Sequence, residues 1–589
     1  MSNFILKTLE TRELKLNTIR LRGFYGGKLR KGSGGGGSGD GFPQLPGDVT
    51  RWYFGGLTNE MMAAMDDPRI EDADHKGRFL SFKNFAWGGM SGVGGYVDNW
   101  NSSADWNIDS YWVNSHTDHK LQFITAGVVA QARSNNIYNA ENVYKNILNV
   151  NGLTEAVNKG AVGGLRISAV DPITSKVIKL FSFKTDGIIQ ISFDDVLQDY
   201  YVVYFVYGNN TKDIDITIEQ LPLYPGFILG DGVDDFAVTE KELNFEDTYT
   251  VYTAFIPFQN NPTRNMILCG ADSKKTFSMQ YSSLVYVSFI AGNNYYINAD
   301  FVNGLNLFAC KRNGNNICIK NLLTNKVVTG TCGDWVENAG LYYLWKNATY
   351  ASFAKAAIAG QTICNGYFST DEDDEKVLDW YKKQYPWLFP DQAWTVVGKT
   401  NEDEDRATIA NITGNGNDLV LSNFGFIEGS GYNEEGEHAG YLVTDGVDDE
   451  IISAKLIQFA DKFTIVGDWK FMEDRNDNAG LLKANQIYIY NATTGMRIYL
   501  KQGSKNYPFS CKKINALTSD GWVYDEKWDK YKVYPIGSDI DISSRLFLGF
   551  YSSNFTKIAL KNLGIYNDQL LSKDDCIKAY NYLQTLKAK

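Results

Sequence analysis

Along most of the chain apolar and polar residues alternate with a period of two, in short runs broken by Gly, Asn and Asp. That is the pattern of strands with one buried face. It is clearest around a phrase used twice, Gly230-Asp231-Gly232-Val233-Asp234-Asp235-Phe236 and Thr444-Asp445-Gly446-Val447-Asp448-Asp449-Glu450, in which DGVDD recurs 214 positions on (445 minus 231). The segments just downstream also match, Phe245-Glu246-Asp247-Thr248-Tyr249-Thr250-Val251 against Phe459-Ala460-Asp461-Lys462-Phe463-Thr464-Ile465. Strand, Asp-Gly turn, strand and aromatic-rich strand is how an all-β sandwich starts, so the pattern predicts a duplicated sandwich domain. In each turn Asp231, Gly232, Asp234 and Asp235, or Asp445, Gly446, Asp448 and Asp449, are expected to be structural, with Asp accepting backbone N–H bonds and Gly taking a positive φ. Calcium is the competing reading, because hard oxygen ligands on a turn suit it, but five residues supply too few ligands.

A second duplication lies upstream of the first. Trp52 to Glu60 and Trp394 to Glu402 share W-x3-G-x-T-N-E without a gap, and Leu80-Ser81-Phe82-Lys83-Asn84-Phe85 is echoed by Leu419-Val420-Leu421-Ser422-Asn423-Phe424. Both run into a glycine-rich turn, ending at Gly95-Tyr96 or Gly431-Tyr432. The repeating unit is therefore a preface plus a sandwich, and about 130 residues of the first unit have no counterpart in the second. An insertion explains them. Its runs Leu121 to Ile124, Leu165 to Ser168, Val177 to Leu180, Ile188 to Ser192, Tyr201 to Phe205 and Ile214 to Ile218, broken by Asp-Gly and Asp-Pro turns, predict a separate small β-sandwich of immunoglobulin or carbohydrate-binding type. Glu141 to Leu148 is expected as a short helix, since Val143, Tyr144, Ile147 and Leu148 share a face at helical spacing.

The phrase Phe227-Ile228-Leu229-Gly230-Asp231-Gly232-Val233-Asp234-Asp235-Phe236-Ala237-Val238 resembles the opening of the laminin-G-like (LamG-like), concanavalin-type jelly roll. The closing strand and helix agree, with Leu563-Gly564-Ile565-Tyr566-Asn567 before Leu571 to Tyr580, and more loosely Phe368 to Glu372 before Val377, Trp380 and Tyr381. Ser369 with Glu372, and Ser572 with Asp575, are placed to cap those helices. The resemblance implies a mainly β protein: an N-terminal arm over 1–41, a preface or linker over 42–96, the small sandwich over 97–223, a first jelly roll over 224–390, a repeated preface over 391–437 and a second jelly roll over 438–589. The central hairpin such domains have is expected over Leu307 to Asn321, joined at Asn-Gly, with Cys310 and Cys318 buried.

Composition changes the picture in three ways. A formal net charge of −12 argues against nucleic-acid binding by the body of the protein. The seven cysteines include no close CxxC pair and are expected as reduced thiols. No stretch is apolar enough to span a membrane or to serve as a secretion signal, which implies synthesis in a reducing cytoplasm. Charge is also split, because residues 1–31 carry eight basic residues (Lys7, Arg12, Lys15, Arg20, Arg22, Lys28, Arg30 and Lys31) against Glu10 and Glu13, about +6, and leave about −18 for the rest. The Gly-Ser tract from Gly32 to Gly41 comes directly after. Arg12, Lys15, Arg20, Arg22, Lys28, Arg30 and Lys31 are expected to form an attachment arm, ordered by neighbours in an assembly, with a disordered leader or linker as the competing reading.

Catalytic chemistry is sparse. The Glu-x-Asp-x-(x)-Glu strand that places two carboxylates in the cleft of β-glucan hydrolases is absent, and Glu402-Asp403-Glu404-Asp405 reads as a solvated loop. Gly88 to Gly95 lacks the Lys-Ser/Thr of a phosphate loop. His116-Thr117-Asp118-His119 sets two imidazoles beside an acid, a weak metal signal to which no metal is assigned. No cofactor is expected and no catalytic residue is named. In plan the prefaces and paired jelly rolls resemble fibre and appendage proteins of phages that infect gut Bacteroidota. The resemblance implies a virion component, head or tail, whose arm meets other virion proteins and whose sandwiches meet host glycans or proteins, as a homo-oligomer with a trimer the common state. A virion depolymerase and a bacterial surface adhesin are the competing readings.

Overall fold

The computed structural model describes residues 41–588 apart from short internal stretches, of which 259–264, 270–276, 347–352, 473–478, 507–512 and 533–541 are the longest. The basic arm residues Arg12, Lys15, Arg20, Arg22, Lys28, Arg30 and Lys31 lie outside the described residues. The fold is mainly β and contains several sandwiches.

The first large sandwich is two eight-stranded antiparallel sheets. One sheet runs Lys326–Thr331, Asn316–Asn321, Asn306–Asn313, Thr248–Pro257, Lys355–Asn365, Tyr224–Asp231 and Gly92–Gly94, with Asp48–Tyr53 also paired to Lys355–Asn365. The other includes Arg69–Glu71, Phe79–Lys83, Phe236–Thr239, Tyr343–Leu344 and four strands from Asn265 to Ala299. Inward residues of both sheets meet in one apolar core, to which Trp52, Phe54, Met62, Leu80, Phe82, Phe85, Trp87 and Val93 contribute. This corrects the reading of 42–96 as a linker. Its strands are short and the turns between them Gly-rich, so they look weak alone; their hydrogen bonds and apolar faces are completed only by strands far along the chain.

The second large sandwich repeats the plan strand for strand. Gln392–Thr395 pairs with Ile558–Asn567 as Asp48–Tyr53 pairs with Lys355–Asn365, and Leu419–Ser422 pairs with Glu450–Ser453 as Phe79–Lys83 pairs with Phe236–Thr239. The span 391–437 is thus part of a sandwich too, with Trp394, Val396, Ile409, Leu419, Leu421, Phe424 and Tyr432 in its core. Even an irregularity is duplicated. The register of the third strand slips between Ala254 and Phe255 in one copy and between Asp468 and Trp469 in the other, again 214 residues apart (468 minus 254). A bulge kept at one position bends both sheets at the same place.

The insertion has a defined root. In the second unit Gly431–Asn433 pairs with Tyr441–Val443, a short hairpin; in the first, Gly92–Gly94 pairs with Tyr224–Asp231, and everything between is an enlarged loop of that hairpin. The matching glycines are Gly92 and Gly431, which corrects the expected match of Gly95 to Gly431. Within the loop, two five-stranded sheets, Val177–Phe183, Gly164–Val170, Tyr201–Tyr207, Ala132–Ser134, Trp106–Ile108 and Gly187–Ser192, Lys145–Asn151, Ile216–Gln220, Lys120–Phe123, Val113–His116, pack around their own core. The helix expected at Glu141 to Leu148 is corrected. Residues 145–151 are a strand whose burial alternates, because Asn146, Leu148 and Val150 must face the core together. Residues 141–142 lie outside the described residues.

Local expectations fare unevenly. Ser572 caps the helix Lys573–Thr585, accepting from the Asp575 N–H at 3.1 Å. The helix Asp371–Gln384 is capped instead by Thr370, in a reciprocal box with Asp373, while Ser369 is buried and donates to Asp374. The hairpin turns through Gly314-Asn315, between the paired Asn313 and Asn316, rather than through Asn-Gly. Cys310 is buried on it and Cys318 half-buried.

Candidate functional site

Both DGVDD turns are built the same way. The N–H of Asp231 donates to Asp235 Oδ2 at 2.9 Å and that of Val233 to Asp231 Oδ1 at 2.7 Å; in the other copy Asp445 N donates to Asp449 Oδ2 and Val447 N to Asp445 Oδ1, both at 2.7 Å. Gly232 and Gly446 have φ of 81° and 77°, and an added Cβ would meet Lys355 or Lys557. Asn84 and Asn423, each at positive φ, donate to the carbonyls of Asp234 and Asp448. Val233 and Val447 point outward, and Asp235 and Asp449 are fully buried. The turns thus use their own acids internally.

Burial raises both inner carboxyls, Asp235 to about 7 and Asp449 to about 6. Ser430 donates to Asp449 Oδ1 at 3.1 Å; its counterpart Ser91 also lies beside Asp235, but Asp235 Oδ1 closes no hydrogen bond with a described residue. A carboxyl that keeps its proton longer folded than unfolded favours the fold at pH below its unfolded pKa, and that contribution disappears as pH rises through 6 to 7. Asp235→Asn keeps an acceptor for the Asp231 N–H and removes the charge. It is expected to raise the melting temperature of the first large sandwich at about pH 8 and to change it little at about pH 4. Calorimetry at the two pH values checks this, and equal shifts at both would show that the carboxyl does not titrate in that range.

The W-x3-G-x-T-N-E motif is also structural. Trp52 and Trp394 are buried and donate to the carbonyls of Arg78 and Asn417. Asn59 exchanges two hydrogen bonds with the Val93 backbone, and Asn401 does the same with Tyr432. The glycine before each partner leaves room for that amide: a Cβ on Gly92 would fall 2.6 Å from Asn59 Oδ1 and one on Gly431 2.5 Å from Asn401 Oδ1. These asparagines pin the hairpin from which the small sandwich grows.

The small sandwich carries an open depression of about 370 Å³. Its floor is Trp100 and Trp106, packed edge to face at 6.2 Å and each against Tyr204. A turn places them: the Ser102 N–H bonds the Asn99 carbonyl, the Trp106 N–H bonds the Ser102 carbonyl, and Trp106–Ile108 then pairs with Ala132–Ser134. Asn101, Ser103, Asn107, Ile108, His116 and Asn135 form the rest of the wall. Asn135 is committed to the carbonyls of Ser103 and Ala104, whereas the side chains of Asn101, Ser103, Asn107 and His116 bond no described residue. Exposed amides, a hydroxyl and an imidazole on its rim can hydrogen-bond a polyhydroxylated ring, while Trp100 and Trp106 beneath them are buried and belong to the core of the small sandwich. Sequence reasoning did not name this site. The signal was present in Asn99-Trp100-Asn101-Ser102-Ser103-Ala104-Asp105-Trp106, dense in amides, hydroxyls and indoles.

The chain is therefore a tandem β-sandwich protein with a third sandwich inserted at a hairpin of the first. No family model matches it, and no curated protein matches it significantly. Among solved structures, similarity is found to a mutant described as HCR/D F1240A, at 9% identity and TM-score 0.28, over 59% of this chain and 89% of that one. The binding domain of botulinum neurotoxin DC in complex with SialylT gives 9% and 0.24 over 57% and 88%. The exoplasmic/lumenal domain of VIP36, in its Ca2+/Man3GlcNAc-bound form, gives 10% and 0.19 over 27% and 85%.

Proposed function

We propose that this protein is a binding component of a phage particle, a head or tail fibre or appendage, whose basic arm attaches it to other virion proteins and whose sandwiches meet glycans of the host surface. The observation that carries the glycan part is the polar rim of the depression above the buried Trp100 and Trp106, where four side chains that bond no described residue stand together. Such a site selects hydroxyl-rich ligands because each amide offers both a donor and an acceptor to neighbouring hydroxyls. The virion part rests on the phage-fibre resemblance of the prefaces and on the charge split between arm and body.

The experiment is direct. Purified full-length protein is screened on polysaccharides from Bacteroidota surfaces, then compared with Asn107→Ala and His116→Ala, whose exposed side chains leave the core intact. Each removed hydrogen-bonding group is expected to weaken binding roughly tenfold, about 1–1.5 kcal/mol. Undiminished binding in the double variant would remove the depression as the site. Steady release of reducing ends would instead favour a depolymerase. Gold-labelled antibody on intact particles tests the virion part separately, and unlabelled particles would end it.

A further inference from the structure

We propose that the root of the inserted sandwich binds one divalent transition-metal ion of the zinc class, through His119 Nε2 and the carboxylates of Glu60 and Glu219. Three segments converge there. Glu60 lies on the short helix Asn59–Ala63 of the first large sandwich, Asp118 and His119 lead into the strand Lys120–Phe123, and Glu219 is near the end of Ile216–Gln220, where the chain returns to the large sandwich. The ion would draw one ligand from the carrying sandwich and two from the inserted one.

The imidazole is held ready. His119 Nδ1 is 2.8 Å from Asp118 Oδ1, and Asp118 is buried with its other oxygen accepting from Asn59 Nδ2 at 2.8 Å. The ring stacks on Tyr96, with centroids 4.6 Å apart and 14° between planes. A carboxylate on Nδ1 keeps the proton there and turns the Nε2 lone pair away from it, the arrangement that orients metal-ligating histidines. Nε2 then faces Glu60 Oε1 at 3.6 Å and Glu219 Oε1 at 3.8 Å. Those separations are too long for hydrogen bonds. They approach the roughly 3.4 Å between ligand atoms of a tetrahedral ion with bonds of about 2.0–2.2 Å. The glutamates are 54% and 40% exposed, so they can close the remaining tenths of an ångström and leave a fourth position to water. Glu60 and His119 already offer ligand atoms within 4.8 Å of each other, in a cluster whose third member, Asp118, holds the ring rather than the ion. An imidazole with two carboxylates suits zinc better than calcium, which takes oxygen alone.

The sequence pointed at His116 with His119, and the fold separates their roles. His116 lines the depression, while His119 turns to glutamates 59 and 100 residues away (119 minus 60, 219 minus 119).

The test is calorimetric titration of chelator-stripped full-length protein with zinc chloride, with circular dichroism confirming that each variant folds. One saturable site per chain is expected. His119→Gln should abolish it, and Glu60→Gln and Glu219→Gln should each weaken it at least tenfold. Asp118→Asn, which acts on the ring rather than on the ion, should weaken it roughly 10–100-fold. Both glutamates are exposed, so their variants keep the test valid even where a change at His119 disturbs folding. No saturable heat, a site that survives His119→Gln, or indifference to both glutamate substitutions would overturn the proposal. The first result leaves an ion pair of protonated His119, and the other two place zinc elsewhere, such as at His75 beside Glu71.

Discussion

A chain that begins at residue 224 is expected to lose its first large sandwich altogether, although every residue of the first DGVDD phrase is present. The strands Asp48–Tyr53, Phe79–Lys83 and Gly92–Gly94 are missing from such a chain, which leaves residues 360–365 of Lys355–Asn365, and the strands Phe236–Thr239 and Tyr224–Asp231, without a partner along one edge. Eight core side chains go with them, from Trp52 to Val93. At about 1.5–3 kcal/mol for each large buried side chain, the loss exceeds roughly 10 kcal/mol. That is comparable with the whole net stability of a domain, about 5–15 kcal/mol. Far-ultraviolet circular dichroism and thermal unfolding of residues 224–390, compared with a chain from 45 to 390, measure it. A cooperative transition in the shorter chain at the temperature of the longer one would show that the preface is dispensable. The longer chain keeps the insertion, since cutting at 97 would sever the hairpin that carries it.

Asp374→Ala is expected to cost the first large sandwich about 3–5 kcal/mol, because it strands a buried charge. Asp374 is 1% exposed on the helix Asp371–Gln384, and it is fully used. Lys311 Nζ lies 2.7 Å away and Lys320 Nζ 3.3 Å, while Tyr252 and Ser369 donate at 2.9 and 3.0 Å. Removing the carboxylate leaves Lys311, itself 4% exposed, without its counter-ion. Denaturant unfolding reads the loss. The double variant Asp374→Leu with Lys311→Met should recover much of it, since replacing both partners by apolar groups removes the desolvation penalty along with the attraction. A single variant that loses less than about 1 kcal/mol would show that Lys311 reaches water or another partner.

The second sandwich has its own version of this network, with the acid on the other side. Asp468 sits on the strand Phe463–Phe471, at the position of Ala254 in the first copy, and bonds Lys513 at 2.8 Å, Tyr441 and Gln584. Burial by itself would raise its carboxyl, but Lys513 and then Lys561 hold it well below the usual carboxylate range. One copy supplies the anion from the helix and the other from the sheet. Both copies bury an acid with a lysine between helix and sheet, but at different heights: Asp374 lies at the start of its helix, whereas Asp468 meets Gln584 at the end of the other.

The features legible in the linear chain are those set by short-range physics. Period-two alternation, Asp-Gly turns and an internal repeat fall within spans of ten residues or so, and they announced strands, the duplication and the insertion. The roles of Gly232, Asp235 and their partners in the second copy were legible because an Asx turn is built from four or five consecutive residues. The rest needed distant segments to meet. Residues 42–96 look like a linker because their pairing partners lie hundreds of positions away; Tyr144 and Leu148 look helical until neighbouring strands claim alternate side chains. The depression over Trp100 and Trp106 gathers residues from 100 to 135, and the histidine cluster gathers Glu60, Asp118, His119 and Glu219. Composition and spacing say which groups a chain owns. Only the closing of sheets, set by hydrogen-bond completion and core packing over the full length, decides which of them face one another.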